Sequence, residues 1–159
     1  MSFSTPSGTY GKGLPLPAPV MRIVNRFAAR RVRATGGRGF SRGLDSLVLT
    51  TIGAKSGEER AVPLNWFPGD DGTWLVVASS GASARNPAWY HNLAAHPDRV
   101  RIDVDRQRID VTAEQLHGEE RARAWESIVA ASPMYRDYAA ATDREIPVIR
   151  LARRLDGAS

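Results

Sequence analysis

The run SLVLTTIGAKSGEERAVPLNWFPGDDGTWLVVAS, residues 46–79, decides the fold class. Ser46–Ile52 is apolar and reads as a strand, and Gly53-Ala54-Lys55-Ser56-Gly57 reads as a glycine-bounded turn. Arg60–Phe67 is a second strand with a bend expected at Pro63, because proline cannot donate to a ladder. Pro68-Gly69-Asp70-Asp71-Gly72 is a hairpin turn, and Thr73–Ser79 a third, mostly apolar strand. Two hairpin connections in 34 residues point to antiparallel pairing rather than to βαβ units.

The same alphabet continues downstream. Ser80–Asn86 is a small-residue loop, and Pro87 opens a short helix, PAWYHNLAAH. Val100–Asp105 and Gln107–Gln115 alternate apolar with polar and form another hairpin. Glu119–Ala131 is an amphipathic helix, Tyr135–Thr142 a shorter one, and Ile146–Leu151 a last strand after the Arg144-Glu145 turn. Residues 46–155 therefore read as one mainly β domain with α insertions, a small antiparallel barrel of about six strands.

Upstream the composition changes. Residues 1–19 are rich in Ser, Gly and Pro and read as a flexible, extended arm. Residues 20–45 hold a basic amphipathic helix and a linker. Val20, Ile23, Val24, Phe27 and Ala28 share one face, interrupted by Arg31; Arg22, Arg26, Arg30 and Arg33 share the other. Thr35-Gly36-Gly37 ends the helix.

The chain has 159 residues, 42% hydrophobic and 25% charged, enough for one buried core. It contains no cysteine, which excludes disulfides, thiolate metal sites and thiol nucleophiles. No apolar run is long enough to span a bilayer, and Met1-Ser2-Phe3-Ser4 does not open a signal peptide, so the expected location is cytoplasmic. The net charge is +5, and all the cations but Lys12 and Lys55 are arginine. Eight cations and one anion, Asp45, fall within residues 1–45, so the basic character belongs to the N-terminal segment and not to the barrel. With no recognition motif beside those charges, nucleic acid is not an expected partner.

Chemistry has few places to sit. His91, His96 and His117 do not share a ligand face, no metal site is expected, and HExxH, GxSxG and GxGxxG motifs are all absent. Three segments stand out. The first, Thr50–Arg60, can aim backbone N–H groups at an anion while Lys55 and Arg60 supply charge and Ser56 a donor. An ordinary turn with solvated charges has the same sequence features. The second, Ala78–Leu93, joins small residues, which allow close approach to the backbone, to a proline-started helix. Trp89 and Tyr90 there are either an aromatic wall or core residues. In the third, Ser132–Val148, Tyr135 and Tyr138 stand at i and i+3, placed either to edge a pocket or to pack on the barrel.

Taken in order, LTTxGxKSGxxRxxPL (49–64), ASSGASARNPAWYHNL (78–93) and YxxYxxxTDRxIPV (135–148) resemble the deazaflavin-dependent nitroreductase family across residues 20–151. That resemblance implies a split β-barrel of the FMN-binding-like kind, using coenzyme F420, an 8-hydroxy-5-deazaflavin. It implies that Ala54, Lys55, Ser56 and Arg60 hold the phosphate and acidic tail, and that Ala61, Val62, Pro63, Leu64 and Asn65 run beneath the ring. Val77, Ala78, Ser79 and Ser80, with Ala88, Trp89, Tyr90, His91 and Asn92, would frame the ring and phosphate side. Tyr135 and Tyr138 match family tyrosines at the substrate side, either one the expected hydrogen-bond donor to the acceptor; Tyr135 also borders the coenzyme. Ser132 stands where some members carry a further tyrosine.

The implied activity is hydride transfer from the reduced coenzyme to quinones, nitroaromatics or activated enones. The alternatives are a non-catalytic F420 carrier and an FMN-binding split-barrel reductase. The N-terminal helix either lids the site or rests on an anionic membrane at the inner face of the cell membrane through residues 20–42. A homodimer is a further arrangement open to the chain.

Overall fold

The computed structural model describes residues 3–8, 17–40, 43–79 and 85–155. Seven strands form one antiparallel sheet: β1 (Ser46–Ile52), β2 (Glu59–Asn65), β3 (Phe67–Pro68), β4 (Trp74–Val77), β5 (Val100–Val104), β6 (Gln107–Gln115) and β7 (Val148–Arg153). Four α-helices accompany them: α1 (Ala18–Thr35), α2 (Ala88–Ala95), α3 (Gly118–Ala131) and α4 (Met134–Ala140). The expected strand pattern is present, with one strand divided. β2 runs unbroken through Pro63, and the interruption falls at Trp66 instead.

The strand order is β2-β1-β5-β6-β7-β4-β3. β2 and β3 lie at opposite ends of that order yet are separated in the chain by Trp66 alone, so the sheet must curl until its ends meet there. Away from Trp66 the two margins, β2 and β4, diverge. The barrel is closed at one corner and split above it.

Alternation along the strands sorts side chains into layers. Leu47, Leu49, Trp74, Val76, Ile102, Val111, Ile149 and Leu151 face the barrel interior, where Trp89, Tyr90 and Leu93 of α2 enter as a plug. Leu75, Val77 and Val148 face outward and are covered by Ile128 and Val129 of α3 and Tyr135 of α4. Val48, on the outer face of β1, forms a small buried cluster with Ala29 and Val32 of α1.

α1 docks through the face opposite to its apolar ridge. Ala29 and Val32 are buried, whereas Val20, Ile23, Val24 and Phe27 are exposed, Phe27 by 62%. Polar anchoring sets this orientation. Arg33 Nε donates to the buried Asp103 carboxylate at 3.0 Å, and Arg108 Nε donates to the other oxygen at 3.1 Å. Rotating the apolar ridge inward would take Arg33 away and leave the Asp103 carboxylate with Arg108 alone. Gly36 and Gly37 (φ 85° and 76°) then turn the chain against β1, where a Cβ on Gly37 would collide with the Ser46 carbonyl.

Part of the arm expected to be flexible lies against the barrel. Phe3 meets the Tyr90 ring edge-on with centroids 5.6 Å apart. The Thr5 N–H donates to the Tyr90 hydroxyl at 2.9 Å, and Asn86 Nδ2 donates to the Thr5 carbonyl at 2.9 Å. Residues 9–16 lie outside the described residues.

Candidate functional site

The split between β2 and β4 holds a cavity of about 350 Å³, within the size range of small-ligand pockets. Pro63, Leu64 and Asn65 form one wall, Val77 and Ser79 the opposite one; Met134, Tyr135 and Tyr138 of α4 and Phe40 and Ser46 complete the lining. Tyr135 is buried, its ring edge-on to both Phe67 (5.7 Å) and Tyr138 (5.6 Å). Its hydroxyl faces the Asn65 side chain, whose Oδ1 accepts from Ser46 Oγ at 3.2 Å. Burial pushes the Tyr135 phenol above its ordinary 10.0; the Asn65 side chain opposes the rise and Tyr138 adds to it. Tyr135 therefore carries its proton at neutral pH. Tyr138 is half-buried beside it.

The Gly53–Gly57 turn caps the other end of the β1–β2 hairpin. Its shape is set internally: Gly53 N–H donates to the Glu58 carbonyl at 2.8 Å, Gly57 N–H to Gly53 at 2.9 Å, and Glu58 N–H to Ser56 Oγ at 3.1 Å. Asn92 of α2 ties the turn to the barrel, accepting from Ala54 N–H and donating to Thr51 Oγ1, both at 3.0 Å. Among the described residues, the N–H groups of Lys55 and Ser56 have no acceptor. Lys55 is exposed. Arg60 already faces Glu58 at 3.3 Å.

The sequence-derived site residues thus divide into groups. Pro63, Leu64, Asn65, Val77, Ser79, Tyr135 and Tyr138 converge on the cavity. Ala54, Lys55, Ser56 and Arg60 form a separate polar patch at the turn, and Ala61 and Val62 lie between the two. Trp89 and Tyr90 do not wall the cavity: both are buried in the barrel interior, because α2 enters as a plug with its aromatic side inward. Ala78 is likewise fully buried, with its N–H given to the Pro147 carbonyl at 2.9 Å. Asn92 acts on the turn, while Ala88 and His91 are exposed at the start of α2. Ser132 is buried and does not line the cavity. Ser80 lies outside the described residues.

Phe40, Ser46 and Met134 were not anticipated as lining residues, since no spacing links them to the seam. Arg144, expected in a turn, is 3% exposed and donates to the carbonyls of Ala78 (2.9 Å) and Ser79 (2.7 Å) and to Asn86 Oδ1 (2.6 Å). The one sequence signal for it was its place in the TDRxIPV string.

The arrangement is a cavity beside two phenols, with a turn carrying Lys55 one hairpin length away. A family model described as F420H(2)-dependent quinone reductase matches residues 20–152. The chain belongs to this family. An F420H(2)-dependent quinone reductase of Mycobacterium tuberculosis (strain ATCC 25618 / H37Rv) is 42% identical over 112 residues, covering 69% of this chain and 74% of that protein. A solved structure described as an F420-H2 dependent reductase is 40% identical with a TM-score of 0.60, covering 67% of this chain and 92% of that one. Another, described as a domain-swapped dimer, is 36% identical with a TM-score of 0.62, covering 84% and 99%. The quinone reductase family thus joins the fold to the site: its matched span contains the turn, the seam and both tyrosines.

Proposed function

We propose that this chain transfers a hydride from reduced coenzyme F420 to a quinone, with nitroaromatics and activated enones as acceptors of the same electronic kind. The observation that carries this reading is the placement of the ring-sized cavity and the cationic turn at opposite ends of β2. Glu59 to Asn65 spans about 20 Å at the rise of an extended strand. That length suits a ligand with a flat ring at one end and a polyanionic tail at the other. Lys55 and the N–H groups of Lys55 and Ser56 would receive the tail. Arg60 joins only by leaving Glu58.

When bound, the reduced deazaflavin supplies a two-electron hydride donor that reacts poorly with oxygen. The protein's own part is placement, holding the acceptor carbon about 3–3.5 Å from the donor. Tyr138 donates a hydrogen bond to the oxygen on which negative charge develops, and the buried Tyr135, edge-on to it, fixes the Tyr138 ring. Met134 and Phe40 supply apolar cover against water.

Mixing the protein with reduced F420 and menadione in air tests this. Acceptor-dependent return of the oxidised coenzyme's absorbance is expected. Binding without turnover would make the protein a carrier, and tighter binding of FMN than of F420 would overturn the cofactor assignment.

A second reading concerns location. No helix among the described residues is long and apolar enough to cross a membrane. The exposed ridge Val20, Ile23, Val24 and Phe27 is bordered by the exposed Arg22, Arg26, Arg30 and Arg31, a combination suited to an anionic lipid surface that also holds quinones. Co-sedimentation with phosphatidylglycerol vesicles is expected. A dimer in solution with no vesicle binding would assign the ridge to a second copy of the chain.

A further inference from the structure

Arg144 sits outside the seam cavity, on the far side of the β4 margin, yet it holds that margin in place. Its guanidinium reaches the chain at two separate points. One is the end of β4, through the carbonyls of Ala78 and Ser79; the other is the approach to α2, through Asn86 Oδ1. Arg144 and Asn86 are both buried, and Asn86 passes the connection on to the Thr5 carbonyl of the N-terminal segment. The backbone N–H of Arg144 donates to Thr142 Oγ1 at 3.2 Å, which fixes the base of the side chain. A planar fork with several donors spans three acceptors at fixed spacing; a lysine ammonium of similar charge cannot match that geometry.

We infer that Arg144 is a positioning residue for the coenzyme: it sets the place of the Val77–Ser79 wall and the spacing between that wall and α2, and so the width of the slot that receives the ring. The inference rests on the proposal that the seam binds F420. Shortening or reshaping this side chain leaves the Ala78 and Ser79 carbonyls without their buried donor, and the wall they belong to shifts. The bonds of Arg144 go to Ala78, Ser79 and Asn86, whereas the opposite wall, Pro63 to Asn65, belongs to β2 and the two tyrosines to α4, so acceptor handling is affected much less than coenzyme binding.

The test is the kinetics of Arg144→Lys in the full chain, with circular dichroism and thermal melting to establish folding. The expected result is a KM for reduced F420 raised at least tenfold, with kcat and the KM for menadione changed by less than about threefold. A loss confined to thermal stability, with coenzyme KM unchanged, would overturn the inference. So would equal losses in both substrates. Should Arg144→Lys fail to fold, Asn86→Ala decides, because it removes one limb and keeps the carbonyl ties: a several-fold rise in coenzyme KM alone is expected, and no rise overturns the inference. Wild-type protein that neither binds nor oxidises reduced F420 would instead refute the cofactor reading itself, which keeps the two failures distinct.

Discussion

α1 and α2 relate sequence pattern to burial in opposite ways. α1 has the clearer division into apolar and basic faces, yet it meets the sheet through Ala29, Val32 and one arginine–aspartate pair, leaving its apolar ridge outside. α2 is short and weakly patterned, yet Trp89, Tyr90, Asn92 and Leu93 are all buried, and its polar side chains carry specific bonds. Periodicity reports that a helix has two kinds of surface. Which of them faces the core is settled by where buried charges and amides find partners.

Substitutions can break or sharpen that contrast. Leu93→Ala in α2 is expected to cost about 2–5 kcal/mol by chemical denaturation, since the plug cannot collapse into the space left. A loss below about 1 kcal/mol would mean α2 is no plug. Asn92→Ala removes one buried and one part-buried bond and should cost about 1–3 kcal/mol while also loosening the Gly53–Gly57 turn, so F420 binding measured by fluorescence should weaken in parallel. Lys55→Ala should weaken F420 binding about tenfold, the loss of one charge-assisted contact, and leave the unfolding midpoint unchanged.

The next effect is one of pH. Because burial holds the Tyr135 pKa above the phenol's ordinary 10.0, its contribution is fully present below pH 10.0 and is lost as pH rises through the folded-state value. Wild-type stability should therefore fall more steeply above pH 10.0 than that of Tyr135→Phe; parallel curves would place the phenol in solvent. The smallest effect belongs to α1. Val24→Ser with Phe27→Ser should change stability by no more than about 0.5 kcal/mol and yet abolish vesicle binding. A large stability loss would show the ridge to be core after all.

Much of the fold was legible because hairpins announce themselves locally. The turn residues Gly53–Gly57 and Pro68–Gly72 and the alternation in Gln107–Gln115 each specify a structure within a few residues. The division of β2 from β3 was not legible, since the break at Trp66 depends on where β4 comes to rest. The tyrosines and the β2 wall were reached from motifs. Phe40, Ser46 and Arg144 were not, because their roles depend on how the Gly36–Gly37 turn is placed and on which carbonyls end up buried. The outward turn of α1 was hidden for the same reason: Arg33 and Asp103 are 70 residues apart in the chain.

Pro63 has one more consequence. Gly53 N–H bonds to the Glu58 carbonyl, and from there the paired positions alternate, so Val48 and Pro63 face each other at a position without mutual bonds. The missing donor of Pro63 would thus have pointed away from β1, toward the open margin. A residue with an N–H there would give that margin a complete rung, inviting β4 to zip the barrel shut or a stray strand to add on and seed aggregation. One imino ring removes a donor from the middle of that margin.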